Sequence, residues 1–200
     1  MPNHVAHKVI VCGDADELSA FEETCFDKVT EGWNEGSLYL NFDNILPIPK
    51  ELEGICSGRI TIDDVKVERW RNIDGKDVAI TEEERKKLIE NYGSDCLLDW
   101  CTENWGTKWN SYDYDCTYAN STNMEFGFST AWSTPQPIFN KLIEMYPSLT
   151  FDVMCFDEGW SFAGVGAFSS KGNTFQFVDA DADMYEQVYD YPPEMDEEEE

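Results

Sequence analysis

Polar and apolar positions alternate at the amino end, where Val5, Val9 and Val11 are set against His4 and Lys8. The run Val9-Ile10-Val11 suits burial on both faces, so a central strand is predicted over Ala6 to Cys12. Gly13-Asp14 stops it, and Asp14 is placed to cap a helix from about Ala15 to Val29. Leu18, Phe21, Cys25 and Val29 form that helix's apolar stripe, and Asp16, Glu17, Glu22, Glu23 and Asp27 fall on its outer face.

From Glu31 to Lys108 the periodicity loosens, as expected of an insertion decorating a core. Leu38, Leu40 and Phe42 alternate briefly before Pro47 and Pro49, which exclude a central strand. Thr81 and Glu84 have capping-box spacing and open a helix that runs to Gly93; a short helix is predicted over Asp95 to Cys101. Ahead of both, Val65 to Ile80 shows short apolar bursts around Arg69, Trp70, Arg71 and Lys76. Trp100, Trp105 and Trp109 then fall within ten residues, and Gly106 marks a turn leading into an aromatic strand.

Beyond the tryptophans the period is sharp. Tyr112, Tyr114, Cys116 and Tyr118 share one strand face, Asn120 to Asn123 supplies a turn, and Met124, Phe126, Phe128, Thr130 and Trp132 share the matching face of a second strand. Pro135 and Pro137 begin a helix with Ile138, Leu142 and Met145 on one side, ended by Pro147. Leu149, Phe151, Val153 and Cys155 alternate as a fourth strand, and two more are predicted over 160–168 and 173–178. Strand, helix, insertion, strand, strand, helix, strand is the split βαβ order. It predicts an α+β protein with a ferredoxin-like antiparallel sheet, two covering helices, a helical insertion at about 31–108 and an additional C-terminal strand hairpin. One domain is expected over 1–180, followed by an acidic, disordered tail over 181–200.

Composition narrows what such a domain can bind. Forty-one acids against 14 bases give a net charge of -27, which repels nucleic acid and anionic membranes and attracts basic partners. Seven scattered cysteines without a C-x-x-C pair fit a reduced cytoplasmic chain, and no apolar run reaches membrane-spanning length.

The segments Asn104-Trp105-Gly106-Thr107-Lys108-Trp109-Asn110, Phe128-Ser129-Thr130-Ala131-Trp132-Ser133-Thr134-Pro135 and Gly159 to Gly164, with Met1-Pro2-Asn3 and the strand ending at Gly13, resemble the YubB-type ferredoxin-like domain of phage and plasmid proteins. The resemblance implies a ferredoxin-like fold and a mobile-element setting, and brings no catalytic residues.

Candidate chemistry is sparse. Asp179, Asp181 and Asp183 begin like a calcium loop, but Met184 stands where the loop requires glycine and Asp190 where it requires a bidentate glutamate, so no metal is expected. Two histidines and no phosphate-cradling or nucleophile-elbow motif argue against a cofactor or covalent mechanism. The expected activity is binding and inhibition of a basic host protein, such as a nucleic-acid-binding defence component, by an acidic mimic of DNA. Its contact candidates are Asp16, Glu17, Glu23, Asp27, Trp105, Trp109, Asp179, Asp181 and Asp183. Two alternatives stay open: a small enzyme or ligand-binding domain in an aromatic pocket around Trp105, where Asp99, Glu103 and Lys108 would meet, and a self-associating adaptor using the tryptophan surface.

Overall fold

Residues 3–32 and 35–194 are described by a computed structural model. The first strand, β1 (His4–Cys12), buries Val5, His7, Val9 and Val11 on one side and ends where Asp14 caps helix α1 (Ala15–Cys25). Leu18, Phe21 and Cys25 of α1 face the sheet. The helix stops at Cys25, short of the predicted Val29, because the chain turns extended at Phe26 and pairs β2 (Phe26–Lys28) with β3 (Leu38–Leu40). That switch seats Phe26 against Phe21, Tyr114 and Phe126, at ring-centroid distances of 5.1–5.6 Å. A short helix, α2 (Phe42–Ile45), capped by Asn41, and a 3-10 turn over Lys50–Leu52 follow.

The helical insertion expected here is a correction: it holds a three-stranded antiparallel sheet, β4 (Ile55–Ile62), β5 (Val65–Ile73) and β6 (Lys76–Ala79), besides helices α3 (Glu82–Tyr92) and α4 (Leu97–Asn104). Its turns are made by Asp63-Asp64 and Asp74-Gly75, all at positive φ. Asp95, only 6% exposed, accepts from Nε of both Arg69 and Arg85 at 2.6 and 2.7 Å, and Arg69 also pairs with Asp99 at 2.9 Å. These pairs clamp β5 onto α3 and α4. Burial alone would raise the Asp95 pKa, but the two guanidiniums overcome it and hold it below its ordinary value.

The remaining strands are β7 (Tyr112–Ala119), β8 (Asn123–Ala131), β9 (Thr150–Asp157), β10 (Ala163–Ser169), β11 (Gly172–Asn173) and β12 (Gln176–Val178), with α5 (Gln136–Met145) between β8 and β9. They join β1 in the order β11-β10-β9-β1-β8-β7, with β12 on β10, and β1 is antiparallel to both β8 and β9. The four strands β9-β1-β8-β7, with α1 and α5, have ferredoxin-like order. The main core lies between this sheet and its helices, where Phe21, Phe126, Phe139, Phe151 and Phe168 are fully buried.

The expected disorder from 181 onward is also corrected. Helix α6 (Ala182–Tyr189) packs Met184 and Val188 on Phe156 and Ala163, across the opposite face of the sheet. Its apolar pair sits four residues apart and Asp181 caps it, so a helix signal was hidden in acid-rich sequence. The end of the proposed tail, 195–200, lies outside the described residues. Among the described residues, no helix is long and apolar enough to cross a membrane.

Candidate functional site: a tryptophan-bearing sheet end and its acidic groove

Three segments meet at one end of the sheet. Gly106, at φ 77, turns the chain so tightly that a Cβ there would lie 2.8 Å from Pro137 Cδ, and this turn delivers residues 107–109 to the end of β8. Thr107 Oγ1 fixes them by donating to the Ala131 carbonyl at 2.8 Å. The next residue, Trp132, has φ 74 and donates its N–H to the Asn3 carbonyl at 3.0 Å. Asn3 reaches the other way to Asp157 Oδ2 at 3.4 Å, and that buried carboxylate also accepts from the Ser161 N–H at 3.1 Å. Trp160, at φ 58, stands on the resulting turn against Phe156 and Tyr185.

Two bulky residues in left-handed backbone therefore occupy the ends of strands that flank β1. Both are exposed, as is Trp109. Lys108 places Nζ over the rings of Trp109 and Trp132, 4.7 and 4.4 Å from their centroids. Nearby, the Tyr112 hydroxyl donates to the Thr130 carbonyl at 3.0 Å, so His4 Nδ1, 2.6 Å from that hydroxyl, is the donor in their contact.

The same 108–114 segment walls two depressions that share Tyr39. The smaller, about 340 Å³, is bordered by Asp43, Trp105, Lys108 and Trp109. The larger, about 710 Å³, lies between the β2–β3 hairpin and β7. Its acids are Asp27, Glu31 and Asp113, its one base is Lys28, and Tyr39, Tyr112 and Tyr114 provide aromatic surface. Burial raises the pKa of all three tyrosines, helped by neighbouring acids: Asp27 and Asp43 act on Tyr39, Asp113 and Glu158 on Tyr112, which rises to about 12. All three stay neutral phenols at physiological pH, and the Tyr112 proton is already spent on the Thr130 carbonyl. Three carboxylates around one lysine give the groove a negative potential.

The contact residues expected from sequence do not form one surface. Trp105 is a correction: it is 2% exposed, donates its indole N–H to Leu46 and packs edge-on against Phe42 and Trp100, because the turn at Gly106 aims it inward. Trp109 is 40% exposed and belongs to the sheet end. Asp27 lines the groove while accepting from the side-chain amides of Asn41 and Asn44 at 2.8 and 3.0 Å. Glu17 accepts from Ser148 N–H and Oγ at 2.9 and 2.7 Å, tying α1 to the start of β9. Asp16 and Glu23 are exposed on α1, Asp179 and Asp183 are exposed beside and within α6, and Asp181 spends its carboxylate on the α6 cap.

The trio expected in an enzyme does not assemble. Asp99 pairs with Arg69, Glu103 is exposed, and Lys108 turns to the tryptophans. Asp95, Cys96 and Asp99 come within 4.8 Å of one another, but Arg69 and Arg85 already supply the positive charge there. Burial pushes the thiols of Cys25 and Cys155 up to about 11 and that of Cys101 to about 12, so these three are protonated at neutral pH.

Glu31, Asp113, Tyr39 and Trp132 were missed as site residues. The sequence does signal Trp132, in the Ala-Trp-Ser break after an alternating strand; nothing local signals that β2, β3 and β7 share a groove.

Residues 104–200 match the family model described as a ferredoxin-like domain in Api92-like protein. In this chain the sheet formed by those residues takes its central strand, β1, from His4–Cys12. No curated protein sequence matches the chain. Among solved structures, the crystal structure of protein api92 from Yersinia pseudotuberculosis is similar in fold, with a TM-score of 0.51 and 9% sequence identity, covering 91% of this chain and 99% of that one. The carboxyl half of the chain therefore carries a ferredoxin-like domain similar to that of Api92-like proteins.

Proposed function

We propose that the protein acts by binding a basic protein through the acidic groove between the β2–β3 hairpin and β7, in the manner of a decoy for nucleic acid. The observation that carries this reading is the groove itself: three carboxylates and three neutral tyrosines around one lysine, in a chain of net charge -27. A cleft built to neutralise duplex phosphates, spaced about 1.7 Å of axis per charge, responds to arrayed carboxylates through the same Coulomb attraction. Phenol hydroxyls and aromatic faces add short-range recognition of Lys and Arg. The mobile-element setting and a host nucleic-acid-binding or defence protein as target rest on the sequence resemblance together with this charge.

The test is capture from a bacterial lysate by the wild-type protein and by a variant carrying Glu31→Gln and Asp113→Asn. A basic nucleic-acid-binding protein held at low salt by the wild type, released by salt, displaced by duplex DNA and lost with the variant supports the reading. Equal capture by the variant, or a captured protein whose DNA binding is unaffected, overturns it.

A further inference from the structure

We infer that Trp109 and Trp132 form a receptor for an incoming guanidinium or ammonium group, and that Lys108 is its resident occupant. Lys108 Nζ sits 4.7 and 4.4 Å from the two ring centroids, inside cation–π range of both at once. It makes no ion pair among the described residues, although the chain carries 41 acids. Among the described residues its charge meets the two ring faces and no carboxylate, an interaction that a second cation can replace without leaving a carboxylate unpaired.

The walls are held independently of the lysine. Thr107 Oγ1 bonds the Ala131 carbonyl, the Trp132 N–H bonds the Asn3 carbonyl, and Thr130 Oγ1 bonds the Ser133 carbonyl at 2.7 Å. Swinging Lys108 out therefore empties the space between the rings without dismantling it. The rings remain 40% and 47% exposed, and Trp132 adopts its φ of 74 to present one of them. Burial would ordinarily be the favourable place for so much apolar surface.

Arginine is the better-matched occupant. Its planar, weakly hydrated guanidinium stacks on aromatic faces, whereas a lysine ammonium gives up a tighter water shell to enter. The cage lies beside the smaller depression, which Lys108 and Trp109 border and which meets the acidic groove at Tyr39. That the arriving cation belongs to a basic protein rests on the reading above; the cage itself does not.

Tetramethylammonium chloride, titrated against sodium chloride at equal ionic strength and followed by the indole N–H resonances of Trp109 and Trp132, separates the two. With Lys108→Ala, both resonances should move saturably with tetramethylammonium at a concentration at least about tenfold lower than in the wild type. Adding Trp132→Gly, a substitution suited to the left-handed backbone, should abolish the response while the other indole signals keep their native positions. A Lys108→Ala protein that responds alike to both salts, or a double variant that responds like the single one, overturns the cage. Glu31→Gln with Asp113→Asn should leave this titration unchanged, so failure of the groove and failure of the cage are read separately.

Discussion

The indole N–H of Trp105 donates to the carbonyl oxygen of Leu46 at 2.8 Å, across 59 positions of sequence. This bond joins the turn after α4 to the proline-rich segment that follows α2, and it satisfies a carbonyl that the prolines leave out of any ladder. Trp105→Phe keeps most of the ring contacts with Phe42 and Trp100 and strands that carbonyl, at a cost of about 1–3 kcal/mol. Trp105→Ala adds a cavity and should cost about 3–5 kcal/mol. Urea denaturation followed by circular dichroism distinguishes the two.

His7 makes stability fall with acid. Its ring is buried, stacked on Phe128 at 4.6 Å, with Nε2 3.4 Å from Thr134 Oγ1 and, among the described residues, no hydrogen-bond partner for Nδ1. Burial lowers its pKa to about 3, only partly offset by the backbone of Phe128 and Val5. Between pH 6.5 and 3 the unfolded chain binds the proton that the folded chain refuses, so stability is full above 6.5 and declines as pH drops, by up to roughly 4 kcal/mol near pH 3. His7→Phe should flatten this decline between pH 6.5 and 4, as measured by urea midpoints across that range.

Asp95 anchors the insertion's three-stranded sheet. Asp95→Asn leaves Arg69 and Arg85 without their shared carboxylate and should cost roughly 3 kcal/mol. Its folded pKa is depressed, so the wild-type contribution is present above the ordinary aspartate range and disappears as pH falls through the lowered value. Hydrogen exchange is the informative readout, with protection lost over β4 to β6 and retained in β1, β8 and β9.

Equal backbone strain should give opposite results at two tryptophans. Trp132→Gly relieves a left-handed bulky residue, worth about 1–2 kcal/mol, and gives up a ring left 47% exposed with its cation–π contact to Lys108, so thermal stability should hold or rise. Trp160→Gly relieves the same strain but loses the ring seated on Phe156 and Tyr185, and the melting temperature should fall.

The ferredoxin-like core was legible because its strands keep a strict period of two and α5 keeps its apolar stripe. Phe126, Phe128, Phe151 and Val153 could hardly face anywhere but a core. The insertion was not legible, because Ile60, Ile62, Val65 and Val67 make a thin apolar face on a sheet buried mainly at one corner, too weak to read as strands. Helix α6 was masked by composition: Met184 and Val188 are few against the surrounding acids, yet they suffice once Phe156 offers a surface. The site eluded sequence reasoning for a different reason. Trp105 and Trp109 are four residues apart and alike in composition, and only the turn at Gly106 decides that one enters the core and the other faces solvent.

The place of β1 governs how the chain can come to be folded. Val5 to Cys12 must lie between β8 and β9, whose residues are more than a hundred positions downstream, so β1 is made well before either of its neighbours. At about 5–20 residues per second of synthesis, β1 waits roughly 7–30 s for β9 to emerge. During that interval Val9-Ile10-Val11 is an unpaired apolar edge, and loop closure over that distance makes the nucleation of the sheet slow. Lys8, set among those apolar residues, keeps a charge on the waiting segment, and once the sheet closes it finds Asp190 of α6 at 2.5 Å. Timing, more than final stability, is where this topology leaves the protein exposed to aggregation.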